Sequence, residues 1–75
     1  MKPNEEWTVD VVARCHRWRI RHSELAKACG YSIPYISLVL NGQKEFKSEK
    51  SKERTKKHIL FHLQLLEEVR HVASK

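Results

Sequence analysis

Breakers of regular structure are scarce in this chain. Its 75 residues include two glycines, Gly30 and Gly42, and two prolines, Pro3 and Pro34. Sandwiches and barrels need frequent turn signals, so this scarcity argues against all-β architectures and for helices. Cysteine is also rare: Cys15 and Cys29 are the only two, and neither belongs to a CxxC pair. That pattern predicts no disulfide scaffold, but two reduced core thiols in a cytosolic compartment. No apolar run approaches the roughly 20 residues of a membrane span, and residues 1–6 are polar where a secretory leader would be apolar. Acid is in short supply as well. Nine Asp and Glu face fifteen Lys and Arg, giving a net charge of +6 and a pI near 9.6. A polyanion is the first partner such a balance suggests, nucleic acid before membrane; simple solubility is the alternative from charge alone.

What is present fits one small domain spanning residues 1–75. A chain of this size buries about 60% of its unfolded surface, which leaves little room for an internal catalytic cavity. The apolar spacing predicts a first helix over about residues 5–18, capped by Asn4, with Glu5 and Glu6 suiting its dipole. Val11, Cys15 and Trp18 recur as one buried stripe, which Trp7 extends. Residues 19–21 form a connection with Ile20 tucked inward. Residues 41–50 are polar and form a turn or a short helix. A last helix over about 51–72 carries Ile59, Leu63, Leu66, Val69 and Ala73 on one stripe. Leu60, Phe61, Leu65 and Val72 make that stripe wider than a single packing face needs.

Both glycines fall in the most informative segment, RHSELAKACGYSIPYISLVLNG, residues 21–42. Gly30 stands where a helix over residues 22–29 needs a left-handed cap. Ser32 is a good N-cap for a second helix over 33–40, and Pro34 sits in its first turn, where a missing N–H costs nothing. Leu25, Ile36 and Val39 form the apolar seam, with Ala26 small enough for close approach. Gly42 marks the second stop.

This segment closely resembles the helix-turn-helix of the lambda repressor and Cro family. The resemblance rests on Ala26, Gly30, Ile36, Val39 and Asn41-Gly42, over about 22 residues with flanks that fit. It implies an all-α, compact five-helix domain (four to five helices) with the unit at 22–41. The expected role is that of a sequence-specific double-stranded DNA-binding regulator. It also implies base-facing positions at Ser32, Ile33, Pro34, Ser37 and Leu38, with Gln43 in the following loop. That set departs from the family habit of Gln, Arg, Asn or Lys. Ile33 and Leu38 offer thymine methyl groups only apolar contact, and Ser37 discriminates weakly. Readout by DNA shape and loop residues is one explanation; a protein-binding surface is the other.

Phosphate contacts are expected at the unit's edges: Arg21, His22, Ser23, Tyr35, Asn41, Lys44 and Lys47. His22 stands where the family usually has Gln. Arg21 stands where a Ser or Thr cap is common, leaving that helix without an evident cap. Tyr35 equally suits surface packing, and Asn41 equally suits a C-cap. Two basic groups flank the unit. Arg14, Arg17, Arg19 and Arg21 have no acid between them, and residues 44–57 hold seven Lys or Arg against three Glu.

Catalytic and metal chemistry find little footing. His58 and His62 lie one helical turn apart, but there is no HExxH and no third ligand at motif spacing, so no metal site is expected. No Gly-rich phosphate loop and no nucleophile arrangement around Cys15-His16 occurs, so neither enzyme activity nor a cofactor is expected. Phe61, Leu65, Val69 and Val72 are candidates for a homodimer surface, since a lone unit reads too few base pairs. Packing of these residues on the first helix is the alternative. A cytoplasmic, nucleoid-associated protein without a membrane partner is expected; an adaptor, antirepressor or antitoxin on the same scaffold is the runner-up.

Overall fold

The computed structural model of the chain describes residues 6–73. It is all-helical, with four helices: α1 (Glu6–Trp18), α2 (His22–Cys29), α3 (Ile33–Leu40) and α4 (Glu49–Ala73). Among the described residues there are four helices, not the five expected first. Residues 41–48 form turns and bends without regular structure instead of a fifth helix. The cap expected at Asn4 lies outside the described residues, as does Glu5.

The three short helices end alike. After α2, Gly30 is left-handed (φ 78°), its N–H bonds Lys27 O at 3.2 Å, and the Tyr31 N–H bonds Ala26 O at 2.9 Å. After α3, Gly42 (φ 72°) does the same, with Gly42 N–H to Val39 O at 3.1 Å and Gln43 N–H to Leu38 O at 3.0 Å. These paired bonds satisfy carbonyls that the last turn would leave orphaned. After α1 the left-handed residue is Arg19 (φ 55°), with the Ile20 N–H on Cys15 O at 2.8 Å. A side chain there opposes the conformation, and burial of Ile20 against the core holds it in place. Arg19→Gly is expected to raise stability by about 0.5–1 kcal/mol, read as a higher urea midpoint with unchanged slope.

Helix starts follow side-chain oxygens. Ser32 Oγ accepts the Tyr35 N–H at 3.2 Å and caps α3. Ser48 Oγ accepts the Ser51 N–H at 3.2 Å, which is why α4 begins at Glu49 and not near residue 51. At α2, Arg21 holds extended backbone and its side chain caps nothing; Glu24 reaches back to accept the Arg21 N–H at 3.3 Å.

The core gathers Val11, Cys15, Ile20, Leu25, Ala26, Cys29, Ile36, Val39, Leu40, Ile59 and Leu63, with Trp7, Trp18, Leu60 and Leu66 packed against it. The seam of Leu25, Ile36 and Val39 is therefore in place. α2 lies against α3 and α4, and α1 against α3 and α4. Two ion pairs bind α4 to its neighbours. Arg14 grips Glu67 through two nitrogens, Nε at 2.9 Å, and Arg70 meets Glu24. The first pairing raises the Arg14 pKa above its usual value.

The α4 stripe is buried only as far as Leu66. Val69 is 66% exposed, and Ala73 is exposed too. A 25-residue helix is about 37 Å long, while the described domain measures 23 and 19 Å across its shorter axes. α1 and α2 still flank α4 at Glu67, Arg70 and His71, so Val69 and Ala73 are exposed on the side that faces away from them. Among the described residues no helix is long and apolar enough to cross a membrane.

Candidate nucleic-acid interface

The caps set where α3 begins and ends, and its buried apolar residues decide which face is outside. Ile36, Val39 and Leu40 point into the core, at 2% exposure or less. That leaves Ser32, Ile33 and Pro34 at the front of the helix exposed, with Ile33 at 52%. One turn on, Leu38 is exposed at 39% and Ser37 is half-buried. Gln43 is exposed in the loop that follows. The six candidate base-facing residues therefore share one edge, formed by the α3 front and the turn after it. It is apolar and hydroxyl-bearing, with no cationic side chain on α3 itself.

The candidate phosphate residues divide. Arg21 and Ser23 are exposed at the start of α2, and His22 is half-buried beside them. Tyr35 is half-buried, its ring 4.8 Å from that of Tyr31, so it packs as well as faces outward. The Lys44 ammonium sits 5.7 Å from the Tyr35 ring centroid and 5.9 Å from that of Phe46. Its charge is thereby held next to α3 by two aromatic faces. Asn41 is the C-cap of α3, its N–H bonding Ser37 O at 3.0 Å; its side chain is exposed, as is Lys47.

The basic group at residues 14–21 is weaker than its sequence implies. Arg14 is occupied by Glu67, and by Asp10 at 3.4 Å, so its charge is offset. Arg17 lies 5.8 Å from the Trp18 ring. Arg19 and Arg21, both exposed, sit nearest the α2 start.

Two features escape a reading by spacing. An open groove of about 750 Å³ runs between the start of α1, residues 42–48 and the start of α4, with Trp7, Phe46 and Lys52 among its walls. Its residues come from three separate segments, so no local pattern announces it. The second lies where the end of α2 meets α4. His58 donates through Nε2 to the Cys29 carbonyl at 2.8 Å, and His62 through Nδ1 to the His58 carbonyl at 2.9 Å. Cys29 itself is buried, and desolvation pushes its thiol up to about 11. Burial likewise raises the Cys15 thiol. Both cysteines are free.

No family profile, curated protein or solved structure matches this chain.

Proposed function

We propose that the chain is a sequence-specific double-stranded DNA-binding regulator of helix-turn-helix type, a repressor that occupies an operator and excludes polymerase. The observation that carries this reading is the exposed front of α3. Its back is locked to α2 and α1 by Ile36 and Val39, and Lys44 sits beside it over the Tyr35 ring. A rigid, short helix with a protruding N-terminal end suits the width of the major groove. Cations and the α2 N-terminus beside it suit the phosphates. Ile33 and Leu38 would meet thymine methyl groups, Ser37 and Gln43 would supply the few hydrogen bonds, and groove shape would supply the rest. No catalytic step enters this reading. A cytoplasmic, nucleoid-associated place follows from it.

Phe61, Leu65, Val69 and Val72 are all exposed, between 44% and 71%. They offer a self-complementary apolar strip for a homodimer, which would set two α3 helices about 34 Å apart. Sedimentation equilibrium is expected to give a dimer mass in the micromolar range, and Val69→Glu a monomer. A monomer mass for the parent chain at every concentration removes this part of the reading.

Selection from random duplex, followed by gel shifts at two salt concentrations, tests the main proposal. A preferred site and a steep salt slope are expected, since each phosphate contact contributes about 0.9 to the slope of log K against log salt. Lys44→Ala is expected to weaken binding evenly across sequences and to lower that slope by about 0.9. An unchanged slope removes Lys44 from the interface. A second reading, a protein-interaction module such as an adaptor, antirepressor or antitoxin, draws on the same exposed Ile33 and Leu38. It is favoured if duplex is retained only weakly and without sequence preference.

A further inference from the structure

Cys29 closes α2, and His58 and His62 lie one turn apart on the facing side of α4. One ligand atom from each, the sulfur and two ring nitrogens, all lie within 4.8 Å of one another. We propose that these three residues bind a single zinc-class ion as one thiolate and two imidazoles, with water as the fourth ligand.

The chemistry of the donor set fits. A borderline-soft ion takes sulfur and imidazole nitrogen together, whereas calcium and magnesium take oxygen. Bond lengths near 2.3 Å to sulfur and 2.0–2.1 Å to nitrogen put tetrahedral ligand atoms about 3.3–3.6 Å apart. The cluster therefore has to draw in by about an ångström, which rotation of the two half-buried imidazoles supplies. The hydrogen bonds already orient them. A carbonyl only accepts, so His62 is protonated at Nδ1 and its Nε2 carries the lone pair. His58 is likewise protonated at Nε2 against the Cys29 carbonyl, leaving Nδ1 for the metal. Backbone carbonyls holding the outer nitrogen are the usual support of metal-binding histidines. The rings of Tyr31 and Phe61 stand 5.3 Å and 5.2 Å from those of His58 and His62 and wall the site with apolar surface. On binding, a bond forms between Cys29 sulfur and the ion, the S–H bond breaks, and its proton goes to solvent; no electron moves. The ion would tie the C-terminal end of α2, immediately before the turn into α3, to the middle of α4.

The inference does not depend on DNA binding and is tested without it. Cobalt is added to the reduced, full-length chain and followed by absorption. One equivalent is expected to produce a thiolate-to-cobalt charge-transfer band and the visible bands of a four-coordinate ion, both removed by added zinc. Zinc is expected to raise the melting temperature by several degrees. Cys29→Ser is expected to lose the charge-transfer band, and Cys15→Ser to keep it. If Cys29→Ser fails to fold, His62→Gln carries the test, since His62 is only half-buried. That variant is expected to weaken cobalt at least about tenfold with helical content unchanged. Absence of the band in the folded parent chain overturns the proposal. So does a band that survives in Cys29→Ser, or cobalt affinity unchanged in His62→Gln.

Discussion

Ile36→Ala is expected to cost about 3–4 kcal/mol, the range for emptying a fully buried aliphatic site. Ile36 is completely shielded, between α3 and the helices that hold it. A chain of this length has roughly 4–11 kcal/mol of total stability, so the variant retains a fraction of it or none. The cost combines lost transfer energy with a cavity that small helices joined by short turns cannot readily collapse. Three residues earlier on the same helix, Ile33→Ala is expected to change stability by no more than about 0.5 kcal/mol, because that side chain is half in solvent. Urea unfolding followed by circular dichroism measures both. Equal effects at the two positions would mean that α3 does not have the inside and outside described above.

Ile33→Glu is expected to weaken binding to the selected duplex by at least about 100-fold while leaving the fold intact. Ile33 is the first helical residue after the Ser32 cap. A carboxylate at that position favours the helix dipole by a few tenths of a kcal/mol. Loss of binding therefore cannot be blamed on unfolding. At the DNA surface the same charge faces phosphate and carries a desolvation cost, which together amount to about 3 kcal/mol. Ala13→Glu, exposed on α1 and outside both the α3 edge and the α4 strip, is the control for added negative charge. It is expected to leave affinity for duplex unchanged. Unchanged affinity for Ile33→Glu would take the front of α3 out of the interface and favour the protein-binding reading.

The sequence was most legible where local chemistry dictates local structure. Gly30, Ser32, Pro34 and the Asn41-Gly42 pair each meet a conformational requirement within a few residues, and α2 and α3 begin and end where those residues place them. Legibility fell where a left-handed residue is not glycine. Nothing about Arg19 announces its φ, which follows from burying Ile20. At α4, Ser48 and Ser51 both suit a cap, and only the bond from the Ser51 N–H to Ser48 chooses between them.

Longer-range features were hidden for a different reason. Periodicity continues along α4 through Val69, but α1 and α2 meet that end of α4 on the side of Glu67, Arg70 and His71, so Val69 faces away from them and stays exposed. Arg14 reads as part of a basic run because its partner Glu67 is 53 residues away. Cys29 joins His58 and His62 only through the packing of α2 on α4, so a search by motif spacing passes over the trio. The candidate base-facing edge was the intermediate case. Its residues lie close together in sequence, and burial of Ile36, Val39 and Leu40 determines which side of α3 they share.

Central to the account is that the exposed edge of α3 is the surface that meets duplex. Amide chemical-shift mapping on the labelled chain, titrated with the selected duplex, tests this most directly. The account predicts the largest perturbations at Ser32, Ile33, Ser37, Leu38 and Gln43, with a second set at Arg21, His22, Ser23 and Lys44. Perturbations confined to the α4 face around Phe61 and Val69, or none at saturating duplex, would contradict it.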